Sequence, residues 1–299
     1  ALELASEVKT IFFDKTGTIT TGEFKLESFD GTDFDFKILS SLESKSQHPL
    51  AKALHSEDIL EISDFTELAG RGVVASINQS RYLAGNAKLM EENNIQVPEI
   101  RDSVIYLAVP GQLIATAIFS SVIKEKALAT IKNLKSKKIK TVMLTGDNEI
   151  AARKIQYEVQ LDEVKSELSP EDKAEIIKKM SQSMMVGDGI NDSIALISSD
   201  VGVAMATGSD IAMEAGDVTI ISGKIEKIPE LVEISHKTMN KVKQNYFWAF
   251  IYNIIGIPLA AIGLLNPMLA ALAMSLSSVS VIINSLLLMS CKIKHVDEY

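Results

Sequence analysis

Asp14 stands at the end of a short apolar run, residues 8–13, and is followed by Lys15-Thr16-Gly17-Thr18-Ile19-Thr20. A carboxylate at the end of a strand can attack a phosphorus atom, and the backbone N–H groups after it can cradle phosphoryl oxygens. Later segments carry the partners such chemistry needs. Residues 140–144 run into Thr145-Gly146-Asp147, where a hydroxyl can donate to the same phosphoryl group. Lys173, within Pro170-Glu171-Asp172-Lys173, offers the positive charge that offsets a pentacoordinate transition state. Residues 184–186 run into Gly187-Asp188-Gly189. Asp188 can hold Mg²⁺ together with Asp14, while Asn191 and Asp192 support that shell.

These motifs must be brought to one place. Asp14, Thr145 and Asp188 each follow a short apolar run, and amphipathic helical patterns lie at residues 124–137, 149–159 and 171–181, the last carrying Lys173. Two further strand-like runs, 201–205 and 218–221, complete the alternation. Short apolar strands separated by amphipathic helices predict a doubly wound parallel sheet, an α/β fold whose ligand sits at the carboxyl ends of the strands. Between residues 21 and 119 the pattern changes. Strand-like runs at 24–29, 65–77, 81–84 and 104–119, the last with a Pro110-Gly111 turn, and helical patterns at 34–43 and 50–55 predict an inserted α+β domain.

Residues 247–265 and 267–289 contain no charged side chain. Each run is long enough to cross the ~30 Å hydrocarbon core as a helix at ~1.5 Å per residue. His236, Lys237, Lys241 and Lys243 precede the first, Lys292, Lys294 and His295 follow the second, and only Asn266 separates them. The positive-inside rule then places both ends, and the large N-terminal part, on the cytoplasmic side of a multi-pass membrane protein. The net charge of −9 argues against a nucleic-acid partner, and the single cysteine, Cys291, excludes a disulfide framework and any CxxC metal site.

The run Asp14-Lys15-Thr16-Gly17-Thr18 and the run Gly187-Asp188-Gly189-Ile190-Asn191-Asp192 together resemble the haloacid-dehalogenase superfamily and, within it, the P-type ATPases. The resemblance implies a catalytic set of Asp14, Lys15, Thr16, Thr145, Gly146, Asp147, Lys173, Asn191 and Asp192, with Mg²⁺ on Asp14, Thr16 and Asp188. Related phosphatases carry a second Asp two positions after the nucleophile; here that position is Thr16. Without a resident base, an aspartyl phosphate should persist. Thr21-Gly22-Glu23 matches a loop of the family's actuator domain but lies at the hinge into the insert, and is read as coincidence.

Within the insert, Gln47-His48-Pro49-Leu50-Ala51 and Gly70-Arg71-Gly72-Val73 resemble the heavy-metal subgroup. By that resemblance Glu43, His48, Gly70 and Gly72 line an ATP site that Gly85 and Asn86 close. In the membrane runs, Tyr252-Asn253 and Met274-Ser275-Leu276-Ser277-Ser278 are similar to Cu(I)-transporting members, which implies Tyr252, Asn253, Met274 and Ser278 as ligands for Cu(I) or Ag(I). A thioether is a soft ligand, and neither run contains a carboxylate. Serines packing two helices, with Met274 as filler, is the other reading of the same residues.

The expected organisation is therefore a phosphorylation domain at residues 1–22 and 120–235, a nucleotide-binding domain at 23–119, and two transmembrane helices at 245–290. The family also carries an actuator domain and earlier membrane helices with a Cys-Pro-Cys site, all expected before Ala1. A membrane-tethered phosphatase and an ATP-binding regulatory subunit are the alternatives.

Overall fold

The computed structural model describes residues 1–56, 58–100, 103–188, 192–205, 216–263 and 266–290. Of the residues singled out above, Gly189, Ile190, Asn191, Cys291, Lys292, Lys294 and His295 lie outside the described set.

The first sheet holds β1 (Thr10–Asp14), β8 (Lys140–Leu144), β9 (Glu163–Lys165), β10 (Ser183–Gly187), β11 (Val201–Met205) and β12 (Val218–Ile220), in the order β12-β11-β10-β1-β8-β9 and parallel throughout. Every residue of β1 is buried because both faces are covered. Ile11 and Phe13 enter a core shared with α4 (Ala127–Ser136), α5 (Glu149–Val159) and the start of α8 (Lys227–Ala261). Phe12 enters the opposite core with α6 (Pro170–Lys178) and α7 (Ser193–Ser198). From β1 the sheet grows one way through β8 and β9, and the other way through β10, β11 and β12. The carboxyl end of β1 is thus the point at which strand order reverses, where a doubly wound sheet opens its ligand crevice.

The insert forms a second, antiparallel sheet in the order β2-β7-β6-β5-β4-β3. The chain enters through β2 (Thr20–Asp30) and leaves through β7 (Gln112–Ile123), and Thr20 pairs with Ile123, so the two connections lie side by side. Between them run β3 (Ser63–Leu68), β4 (Gly72–Ile77), β5 (Ser80–Gly85) and β6 (Ser103–Val109). One face is covered by α2 (Asp33–Glu43), opened by a Thr32/Asp35 capping box, and the other by α3 (Ala87–Glu92).

Several boundaries differ from the sequence expectation. The apolar run 65–77 is not one strand but a hairpin, because Gly70 and Gly72 take φ of +69° and +145° and turn the chain between β3 and β4. Thr21-Gly22-Glu23 lies within β2 at a register shift against β7, with Gly22 at φ +83°. Helix α8 is continuous for 35 residues, where the charge pattern suggested a span starting near residue 247. It begins against the first sheet with Ile228 and Val232 buried and runs on into the uncharged segment, so one helix of about 50 Å, with Pro258 near its end, joins the two. It packs against α9 (Pro267–Leu286), which follows the Asn266 cap. Among the described residues, Ala271–Met289 is long and apolar enough to cross a membrane.

Candidate active site

Asp14 ends β1, and its carboxylate accepts a 2.8 Å hydrogen bond from the Thr16 N–H, which curls the following loop (Lys15–Ile19) back over the strand end. Gly17 makes that curl possible, with φ of +71° in the left-handed region. The Thr20 hydroxyl ties the loop from below through Lys15 O at 3.1 Å. Lys173 comes from the first turn of α6, which Pro170 and a Ser169/Asp172 capping box start shortly after β9. Its Nζ donates to Asp14 Oδ1 at 2.6 Å and to Asp192 Oδ1 at 2.8 Å. All three side chains are buried. Lys15 turns the other way and pairs with Asp147, and Thr145 beside it accepts from the Asp147 N–H at 3.1 Å. The structure thus gathers Asp14, Lys15, Thr16, Thr145, Gly146, Asp147, Lys173 and Asp192 at one sheet edge.

Charge at this edge is unbalanced. Burial pushes the Asp14 carboxyl up to about 6, helped by the Asp192 charge and opposed by Lys173 and the Thr16 N–H. Burial also raises Asp192, with Asp188 adding to it. Burial alone would lower Lys173, but Asp14 and Asp192 hold its ammonium above the usual lysine range. Four aspartates, Asp14, Asp147, Asp188 and Asp192, against two lysines, Lys15 and Lys173, form a hard oxygen set that suits Mg²⁺. Among the described residues no three such side chains form a ready-made cage, so backbone oxygen and water would complete the shell, which is the usual arrangement for that ion. The Thr18 hydroxyl in the same loop is buried without a partner among the described residues.

In the insert, Glu43, His48, Gly70, Gly72, Gly85 and Asn86 all line one cavity of about 190 Å³. Asn86 fixes two of its walls: its Nδ2 donates to Gly70 O at 2.8 Å, and its Oδ1 caps α3 by accepting from Leu89 N. Gly72 and Gly85 face each other in register, and a Cβ on Gly72 would lie 2.1 Å from Ala84 O. The His48 ring accepts the Leu50 N–H through Nδ1 at 3.3 Å, which leaves Nε2 as the donor. Glu43 is pushed up to about 7, mainly by burial and further by Glu67, against a hydrogen bond from Ser46. Sequence reasoning missed Ser46 and Glu67. Glu67 reaches the cavity by pairing across β3 and β4 with the buried Val73, a register that the sequence alone does not display.

The helix pair does not bring the four copper candidates together. The Tyr252 hydroxyl lies 3.3 Å from Ser280 Oγ, Asn253 donates to Ala249 O, and Ser278 donates to Met274 O. Met274 and Ser278 face away from α8, with Met274 70 % exposed.

The signature of the haloacid dehalogenase-like hydrolases matches residues 8–200. Over 98 % of its length the chain is 41 % identical to the copper-exporting P-type ATPase of Staphylococcus haemolyticus and 38 % identical to that of Staphylococcus aureus. Among solved structures it is similar to the catalytic domain of the CPx-ATPase CopB-B, at 32 % identity and a TM-score of 0.66 over 77 % of this chain and 92 % of that one. The chain belongs to the P-type ATPases. A zinc-transporting PIB-type ATPase in its E2.Pi state aligns with 96 % of the chain and 51 % of its own length, at 28 % identity and a TM-score of 0.84. The chain spans 39 % of the length of the copper-exporting relatives.

For a P-type ATPase the arrangement is chemically coherent. A buried carboxylate has one oxygen held by Lys173 and the other by the Thr16 N–H. Such a carboxylate is fixed in direction. Two positions on, Thr16 stands where the related phosphatases carry a second aspartate.

Proposed function

We propose that this chain is the catalytic part of an ATP-driven pump for Cu(I) or Ag(I), working through an aspartyl phosphate on Asp14. Residues 1–22 and 120–235 act as the phosphorylation domain, 23–119 as the nucleotide-binding domain, and 245–290 as two transmembrane helices, with the catalytic domains cytoplasmic. The observation that carries the reading is Lys173 bridging Asp14 and Asp192 at the strand-order reversal of the parallel sheet. The insert cavity holds adenine through Glu43 and His48, and Gly70, Gly72, Gly85 and Asn86 let the nucleotide approach the backbone. An Asp14 oxygen attacks the γ-phosphorus, the bond to the β-phosphate oxygen breaks, and ADP leaves with that electron pair. Lys173 offsets the charge that develops on the transferring group. Asp14, Thr16 and Asp188 would hold Mg²⁺, which would supply further charge neutralisation. Thr145 donates to the phosphoryl oxygens, while Lys15 and Asp147 brace the loop.

Copper or silver, rather than zinc, follows from ligand softness. Met274 offers a thioether, Tyr252, Asn253 and Ser278 offer neutral polar atoms, and the two uncharged runs contain no carboxylate or histidine. Because Met274 and Ser278 face off the helix pair, the site needs ligands from membrane helices beyond this chain. The test is metal-stimulated phosphorylation of the complete pump in vesicles. Cu(I) or Ag(I) should stimulate it, Zn²⁺ should not, and Met274→Ala should abolish the stimulation while phosphorylation of Asp14 by inorganic phosphate persists. Stimulation by Zn²⁺ in place of Cu(I), or a silent Met274→Ala, would overturn the metal assignment alone.

A further inference from the structure

Lys124 is the first residue after β7, where the chain leaves the insert and returns to the parallel sheet. Its backbone and side chain both grip the loop that follows Asp14. The Lys124 N–H donates to Ile19 O at 2.9 Å, and its Nζ donates to Gly17 O at 2.6 Å and to Gly223 O at 2.9 Å. Gly17 takes the left-handed second central position of a type II turn whose first central residue is Thr16, so the ammonium holds the carbonyl of the residue on which the loop turns. Helix α4 does not account for this side chain. It is opened by the backbone, through the Ala127 N–H on Lys124 O at 2.9 Å, which any residue could provide.

The arrangement also has a cost. Lys124 is half-buried, and desolvation pulls its ammonium below the usual lysine range, with Glu226 restoring part of the loss. A lysine drawn in from water to serve two backbone carbonyls is an uncommon choice where only packing is required. An ammonium on the Gly17 carbonyl fixes and polarises the Gly17–Thr18 peptide, one of the amides that follow the carboxylate.

Building on the phosphoryl-transfer reading above, we propose that Lys124 is a positioning residue for that reaction. Its ammonium holds the Lys15–Ile19 loop, and through it the attacking direction of Asp14, from the junction at which the insert is hinged. It touches neither nucleotide nor reacting atoms. Its position on the hinge links the geometry of the loop to the strand that carries the insert.

The experiment compares wild type, Lys124→Met and Lys124→Arg in the full chain in detergent micelles. Lys124→Met should slow acid-stable labelling from radiolabelled ATP by about tenfold, as expected for one lost charge-assisted hydrogen bond. Calorimetric affinity for MgATP should stay at the wild-type value, and Lys124→Arg should restore most of the rate. A second readout is independent of turnover. Amide hydrogen exchange across residues 15–20 should accelerate in Lys124→Met while β4 and β5 keep their protection. Wild-type labelling and wild-type exchange in Lys124→Met would overturn the proposal. So would a joint loss of labelling, nucleotide affinity and thermal stability that Arg does not rescue, because that would mark a purely structural lysine. If wild type itself took no label on Asp14, the phosphoryl-transfer reading would fall, and loop exchange would still decide whether Lys124 holds the loop.

Discussion

At the end of β1, Lys173 sits between the carboxylates of Asp14 and Asp192, with all three side chains buried and joined at 2.6 and 2.8 Å. In the cavity of the insert, by contrast, backbone shape does most of the holding. Gly72 and Gly85 lie in register, Gly70 turns the hairpin, and the Asn86 amide pins one wall to another. The first site is set by charge and tolerates little change in charge. The second is set by space and should tolerate changes in charge better than an added methyl group. A transferring phosphoryl group needs strong fixed charges, whereas a purine needs a slot of the right width and a few directional contacts.

The contrast is broken most severely at Lys173. Lys173→Met removes the cation between two buried carboxylates and should destabilise the parallel-sheet unit by about 3–5 kcal/mol. Labelling of Asp14 should fall by roughly 10²–10³. Chemical denaturation and rapid-quench labelling measure the two effects, and wild-type labelling would refute the charge-held account of this site.

Next in size is Gly72→Ala. Its Cβ would meet Ala84 O at 2.1 Å in a backbone of φ +145°, so a loss of about 2–4 kcal/mol in the stability of the insert is expected. Gly70→Ala has open space around it but a φ of +69°, and should lose only about 1–2 kcal/mol. Thermal melts and calorimetric ATP titrations check the order, and equal effects at the two glycines would contradict a slot set by width.

The comparison is sharpened further through pH. Glu43 rises from 4.5 to about 7 on folding, so the folded state binds more protons between those values. Stability should therefore fall as pH rises from 4.5 toward 7. Glu43→Gln should flatten that slope and recover up to about 3 kcal/mol above pH 7. A denaturation series across this range measures it, and an unchanged slope would show that Glu43 is not the group responsible.

Much of the charged site was legible because its residues sit in contiguous motifs at strand ends. Asp14 and Thr145 each follow a short, mostly apolar run, and Lys173 stands in a helix start marked by Ser169-Pro170. The insert cavity was legible only through family motifs. Its walls depend on the pairing of Gly72 with Gly85 and on the Glu67–Val73 register, which are long-range facts of an antiparallel sheet. Lys124 was hidden among exposed-looking lysines, since its role depends on a carbonyl more than a hundred positions away in sequence. The helix pair was half legible. Uncharged length announced both helices, but the rotation that turns Met274 away from Tyr252 comes from packing, which two apolar sequences do not encode on their own.

The central claim is that Asp14 carries the phosphoryl group, and the most direct measurement is labelling of the wild-type chain and of Asp14→Asn with radiolabelled ATP and Mg²⁺, followed by acid quench and hydroxylamine. The wild-type chain should take up an acid-stable, hydroxylamine-labile label. Asp14→Asn should take up none and still bind ATP in the insert cavity. Label retained at wild-type level in Asp14→Asn would contradict the account.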